Sequence, residues 1–301
     1  MGGRRRMAAG AMLAAVATLW PTAAAGAAAP VIAAAGDIAC APGDPVTPTS
    51  CRQTATSNVF VGNPAITAVL PLGDEQYESG LLSEFQGAYD PSWGRALAKT
   101  HPVPGNHEYA SGSNGVGYFA YFGSRAGNPS KGWYSYHVGK WHLIALNSNC
   151  THVGGCGPSS PQVTWLKNDL AAHHPACTLA YWHHARFSSG PNGNLPDYDA
   201  IWKVLYSHHV DVVLSGHDHI YERYALQTPA QARDPRRGIR EFVVGTGGRS
   251  LDAFTGPFTN GQFRERTQFG VLKLTLHPKK YEWHFVNTAK HVLDSGETAC
   301  H

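Results

Sequence analysis

Four short apolar runs in this chain each stop at a side chain that can hold a metal ion: VIAAAGD at Asp37, VLPLGD at Asp74, TLAYWH at His183 and VVLSGH at His217. Between them lies Gly-Asn-His-Glu at 105–108, and the last run continues as Gly-His-Asp-His-Ile-Tyr-Glu-Arg at 216–223. Any one of these is weak alone, because Gly-Asp is a common turn. Their order is not weak: carboxylate and imidazole donors placed repeatedly just after apolar runs describe a built metal site.

The same runs predict the elements that must position these donors. Apolar stretches of about four to eight residues, rich in β-branched types and closed by Gly or a polar cluster, read as buried strands. In open α/β sheets, ligand groups collect outside the carboxyl ends of the strands, so the four ends should converge. The spacing predicts a helix over 161–173, with Ser160 as N-cap, Pro161 in the first turn, Val163, Leu166 and Leu170 on one face and Pro175 closing it. A second helix is predicted over 197–208, with Ile201, Val204 and Leu205 as its buried stripe. WYSYHVGKWHLIALN at 133–147 reads as a hairpin turning at Gly139-Lys140, and REFVVGTGG, GVLKLTLHP and YEWHFVN make the C-terminal third strand-rich and antiparallel. GTGGRSL at 245–251 reads equally as a turn or as part of the mouth of the site. Pattern alone supports one mixed α/β domain.

Taken together, Gly-Asp at Asp37, GDEQY at 73–77, GNHE, the strand ending in His183 and GHDH resemble the five sequence blocks of the calcineurin-like metallophosphoesterases. The GDxxY form of the second block and the GHxHxYER ending resemble the purple acid phosphatase branch. The resemblance covers roughly residues 31–290. It implies a four-layer αββα sandwich, with two facing mixed sheets flanked by helices.

Asp, Asn, Tyr and His are hard or borderline ligands suited to iron, zinc or manganese. Seven candidates are more than one ion can use, so two ions are expected. By resemblance, one would take Asp37, Tyr77 and His219, the other Asn106, His183 and His217, with Asp74 as the bridge. The wider superfamily commonly has a histidine where this chain has Ala39, and Tyr77 stands in for that missing ligand. A phenolate favours a ferric ion, so the resemblance implies Fe(III) plus a divalent zinc, iron or manganese. Two aspartates and a phenolate bring about −3 against about +5 for such a pair, and the remaining positive charge would attract a phosphate dianion. The expected reaction is hydrolysis of phosphomonoesters by a metal-bound hydroxide.

His107 sits beside a proposed ligand without belonging to the ligand set. It is expected to act as general acid toward the leaving oxygen, or to stabilise transition-state charge. Asn106, His107 and His184 are the expected substrate contacts, with His184 alternatively orienting a ligand. After His184 the chain reads ARFSSGPNGN, where plant-type relatives carry further histidines, so that contact does not carry over. Most of the 17 histidines must be ordinary: His173, His174, His208 and His209 fall at predicted helix C-termini, where the dipole favours a cation. Glu222 and Arg223 read as a structural pair.

Residues 1–29, with Arg4–Arg6, an apolar run from Met7 to Trp20 and an Ala-rich tail, read as a secretory signal peptide, by either the general or the twin-arginine route. The run is short of the ~20 residues that span a bilayer, so the 30–301 remainder is expected to be a single exported catalytic domain with no transmembrane segment. Six cysteines in an exported chain suggest disulfides, and proximity favours Cys40–Cys51 and Cys150–Cys156, leaving Cys177–Cys300. A net charge of +3 with scattered Lys and Arg does not argue for a nucleic-acid surface. The expected partner is a small phosphate ester. Rival readings are a phosphodiesterase for nucleotides or phospholipid head groups on the same site, and a secreted binding protein that keeps the fold without turnover.

Overall fold

The apolar runs do form strands, and their side chains alternate between two hydrophobic layers. The computed structural model describes residues 1–4, 7, 28–112 and 114–301. Five strands form one sheet in the order β12-β11-β10-β1-β2, comprising β1 (Val31–Ala35), β2 (Ile66–Pro71), β10 (Gly270–His277), β11 (Lys280–Asn287) and β12 (Val292–Ala299). Seven form the other in the order β3-β4-β5-β6-β8-β7-β9: β3 (Tyr134–Val138), β4 (Trp141–Ala145), β5 (Thr178–His184), β6 (Val212–Gly216), β7 (Tyr221–Tyr224), β8 (Arg240–Val244) and β9 (Gly261–Glu265). Five α-helices accompany them among the described residues: α1 (Gln53–Ser57), α2 (Leu82–Glu84), α3 (Val116–Phe122), α4 (Pro161–Ala172) and α5 (Asp199–Ser207).

The period of two along each strand sorts the core. Leu143 and Ala145 of β4, Leu179 and Tyr181 of β5 and Leu214 of β6 pack inward against Ala34, Leu70, Leu272 and Leu274 of the five-stranded sheet. Their alternates Ile144, Ala180, Trp182 and Val213 face outward onto Val163, Leu166 and Leu170 of α4 and Ile201, Trp202 and Leu205 of α5. The two sheets therefore face each other under flanking helices, as expected. Ser160 caps α4 by accepting the Val163 N–H at 3.3 Å, and Pro161 occupies the first turn. That helix ends at Ala172, one residue short of the predicted end, and α5 is preceded by a 3₁₀ turn over Pro196–Tyr198.

One expectation fails in part. The C-terminal third is not uniformly antiparallel, because β8, the REFVV segment, runs parallel to β6 and only β7 pairs with it antiparallel. Residues 225–239 return the chain far enough to insert β8 between β6 and β7, a choice no local pattern encodes.

The two disulfides favoured by proximity and the third that they leave are all present, with Cα–Cα distances of 5.3, 5.2 and 5.5 Å for Cys40–Cys51, Cys150–Cys156 and Cys177–Cys300. The last closes a loop of 123 residues, for which chain entropy alone predicts a stabilisation of about 4–5 kcal/mol. The Cys177→Ser/Cys300→Ser variant should melt roughly 5–15 °C below the parent in scanning calorimetry. A fall of under about 2 °C would show that the C-terminus is held by packing alone.

Most of the leader expected over 1–29, residues 5–6 and 8–27, lies outside the described residues. No helix among the described residues is long and apolar enough to cross a membrane.

Candidate metal centre and substrate cleft

Backbone hydrogen bonds stitch the strand ends into one pole. Gly36 N–H donates to the Val244 carbonyl at 2.8 Å, joining the two sheets, and Asp37, Ile38 and Ala39 donate to Gly73, Asp74 and Glu75. Glu108, last residue of the GNHE block, fastens that block to the second: its carboxylate accepts from the Asp74, Gln76 and Gly105 N–H groups at 3.0, 3.1 and 2.7 Å. A Cβ at Gly105 would overlap the Asp74 carboxylate, and at Gly73, where φ is 84°, it would lie 2.6 Å from the His183 ring. Only glycine lets these loops approach so closely. Asp37, Asp74 and His217 themselves sit at φ of 60°, 47° and 73°, left-handed backbone that persists where surrounding structure holds it and that clusters at functional sites.

All seven candidate ligands converge. The Tyr77 hydroxyl lies 3.0 Å from Asp37 Oδ1, 3.0 Å from Asp74 Oδ2 and 3.1 Å from His219 Nε2. His183 Nε2 lies 3.2 Å from Asn106 Oδ1, 3.2 Å from His217 Nδ1 and 3.3 Å from Asp74 Oδ2. Asp74 thus touches both halves. The outer ring nitrogens are fixed from behind: His183 Nδ1–H donates to the Leu72 carbonyl at 2.8 Å, and His219 Nδ1 meets Ser250 Oγ at 2.8 Å. Both arrangements turn the Nε2 atoms inward, as outer partners of metal-bound imidazoles do.

The donor chemistry fits a cation. Two carboxylates and several imidazole nitrogens face one phenolic proton that can satisfy a single acceptor at a time. Burial would raise both aspartates, but His219 beside Asp37 and His183 beside Asp74 hold them below the usual carboxylate range. Burial, then the two carboxylates, pushes the Tyr77 phenol well above its ordinary value. Burial opposes protonation of His183, yet Asp74 and then Asp37 raise it to about 9. Holding a metal ion through His183 Nε2 would require that nitrogen without its proton. His217 is pushed the other way, to about 4, by burial and by His183.

His107 is adjacent but separate. Its backbone N–H donates to Asp74 Oδ1 at 2.9 Å, its ring Nδ1–H donates to the Glu78 carbonyl at 2.6 Å, and its ring lies 4.1 Å from that of Tyr77. Nε2 is left free, 3.9 Å from Asp74 Oδ2. A cleft of about 640 Å³ opens on the other flank of the cluster, lined by Asn106 and His184 with Tyr109, Asn149, His152 and Tyr198. His184 lines it with Nδ1 held 2.7 Å from Ser148 Oγ; His107 does not line it.

Of the two readings of GTGGRSL, the one that puts it at the mouth of the site holds. Ser250, behind His219, and Arg249, paired with Glu78 at 2.6 Å and 5.2 Å from the Tyr77 ring centre, place GTGGRSL at the mouth of the site. Glu108 belongs to the GNHE block without having been assigned a role, and Asp252, which accepts the His219 N–H at 3.0 Å, has no local signature. Glu222 and Arg223 do not pair with each other. Glu222 accepts from the Ser189 backbone at 3.0 Å and the Tyr224 hydroxyl at 2.7 Å, whereas Arg223 grips Asp294 at 2.8 Å, because neighbours on a strand point to opposite faces. Removing the partner behind His219, by Ser250→Ala, should weaken metal binding about 10–100-fold in chelator competition. Affinity within about twofold of the parent would show that His219 needs no such support.

This fold gathers at one pole a set of hard and borderline donors suited to metal ions. The calcineurin-like phosphoesterase family matches residues 31–221, and the chain belongs to that family. The chain is similar to purple acid phosphatases over about half its length. It is 27% identical over 164 residues to purple acid phosphatase 23 of Arabidopsis thaliana, a match covering 48% of this chain and 35% of that protein. It is 30% identical over 186 residues to an uncharacterized protein of Mycobacterium tuberculosis, across 50% of this chain and 35% of that one. The structure of purple acid phosphatase PPD1 from yellow lupin seeds superposes with a TM-score of 0.77 at 20% identity, covering 90% of this chain and 53% of the lupin chain. The matched regions thus span about a third of the curated relatives and about half of the lupin protein.

Proposed function

We propose that residues 30–301 form a single exported catalytic domain that hydrolyses phosphomonoesters at a two-metal centre, with the leader removed after residue 29. The observation that carries this reading is the lone-pair excess around Tyr77 and His183, where seven donors meet with too few protons to satisfy one another. Ferric iron beside Tyr77 and a divalent zinc, iron or manganese beside His183 suit those donors. When bound, such a pair polarises phosphoryl oxygens and lowers the pKa of bound water for in-line attack.

The chain's own residues then have distinct tasks. Asp74 holds the two halves of the centre in register. Asn106 and His184 face the cleft and orient the ester, with Ser148 fixing the His184 ring. His107, braced by Glu78 and Tyr77, keeps Nε2 available to give a proton to the leaving oxygen. Three disulfides, with no free cysteine among the described residues, suit an oxidising compartment and support export.

Parallel assays on an aryl phosphate monoester and the corresponding bis-ester test the substrate class: preference for the bis-ester would replace this reading with a phosphodiesterase, and no turnover of either by fully metallated protein would favour a binding protein. The visible spectrum tests the metal assignment. The protein as isolated should contain iron and show a visible phenolate-to-iron band, which Tyr77→Phe should abolish while leaving far-UV circular dichroism unchanged. A colourless parent holding two zinc or manganese ions would remove the ferric assignment but not the phosphoesterase.

A further inference from the structure

His142 is fully buried, yet neither of its ring nitrogens has a hydrogen-bond partner. It lies on β4 among residues facing α4, opposite Thr178 at the start of β5. From Thr178 to His183 the strand rises ~17 Å, so this imidazole sits at the far end of the sheet from the centre described above. Asp169 of α4 brings Oδ2 to 3.1 Å from His142 Nε2, but the two are not aligned for a hydrogen bond, and Oδ2 also lacks a partner. The other oxygen of Asp169 accepts the Ser135 hydroxyl at 2.6 Å. Four residues on, His173 donates its Nδ1–H to the Asp169 backbone carbonyl at 2.8 Å, which leaves Nε2 as its ligand atom, and its ring centre is 4.5 Å from that of His142.

We propose that His142, Asp169 and His173 form a second metal site, for zinc or a similar divalent ion, that clamps the C-terminal end of α4 to the β3–β4 edge of the seven-stranded sheet. A ligand atom from each residue lies within 4.8 Å of the others. Two ligands each ~2.1 Å from a tetrahedral ion stand ~3.4 Å apart, close to the 3.1 Å between His142 Nε2 and Asp169 Oδ2. A carboxylate–imidazole pair needing only each other would align; these two approach closely and point elsewhere, as groups sharing an ion do. Asp169 stands on the last turn of α4 and His173 directly follows its last residue, so both lie at the same end of the helix. The hydroxyl of Ser135 holds the carboxylate as outer partners of metal ligands do. His137 on β3, 5.2 Å from His142 and 5.5 Å from His173 between ring centres, is the nearest candidate for the fourth position, with water as the alternative. Access is open, since the His173 side chain is 38% exposed and borders a cavity of about 460 Å³ lined also by His174, His208 and His301.

The test counts zinc. Full-length protein, Asp169→Asn and His173→Ala are each stripped with chelator, equilibrated with the same excess of zinc chloride, desalted and analysed for metal. His142→Ala is avoided because it opens a buried cavity. Parent protein should retain one zinc equivalent more than either variant, and cobalt chloride in place of zinc should give a tetrahedral visible band in the parent that both variants lose. Hydrolysis of the aryl phosphate should be unchanged in both variants, which separates this site from the catalytic one. Equal zinc content in all three proteins, with the same cobalt spectrum, would overturn the proposal and leave the cluster as a buried polar contact.

Discussion

Asp74→Asn is expected to lower kcat/KM for a phosphomonoester by at least about 10³-fold and to cost the protein one or both ions in metal analysis, with circular dichroism unchanged. The substitution is nearly isosteric, so its effect comes from charge and donor placement. Asp74 Oδ1 accepts the His107 N–H, and a carboxamide oxygen can take over that role. The amide NH₂ must then occupy the Oδ2 position, 3.0 Å from the Tyr77 hydroxyl and 3.3 Å from His183 Nε2. A donor would stand where the proposed centre needs a lone pair shared between its halves, and a buried negative charge that offsets His183 would be gone. The other candidate ligands each reach one half only, so their loss should be milder. Activity within tenfold of the parent, with two ions still bound, would exclude the bridging role.

Much of this centre was legible because it is built from short-range features. A buried strand, a glycine that lets the chain turn and a donor just beyond it are all local, and they recur at Asp37, Asp74 and His217, while His183 is the penultimate residue of its own strand. The vacancy at Ala39 directed attention to Tyr77, and in the structure the hydroxyl stands between both aspartates and His219. What was not legible is long-range. Ser250 meets His219 across 31 residues and Glu108 reaches Asp74 across 34, and a serine or glutamate carries no periodic signal that announces such a meeting. The parallel placement of β8 beside β6 was equally hidden, since apolar content marks a buried strand without naming its neighbour. His173 was read as an ordinary helix-end histidine. Only the register that sets His142 of β4 against α4 shows the group it belongs to.

His107→Ala should reduce kcat by about 10²–10⁴-fold on an alkyl phosphate, whose leaving oxygen must be protonated, and far less on a nitrophenyl phosphate, whose leaving group departs as an anion. The geometry motivates this split. A carbonyl can only accept, so the Glu78 contact fixes a proton on His107 Nδ1 and leaves Nε2 as the atom that exchanges one. With its side chain 27% exposed, the ring can regain that proton from solvent after each turnover. A plot of log kcat against leaving-group pKa should therefore steepen in the variant. If His107 instead stabilises charge on the phosphoryl group, the loss should be uniform across leaving groups, because the same equatorial oxygens are involved whatever departs. The position of His107 outside the cleft lined by Asn106 and His184 sharpens the question, since the ester must bridge from those residues across the cluster to reach it. An undiminished kcat on both esters, with both ions present, would remove His107 from the reaction and leave protonation of the leaving oxygen to water or to His184.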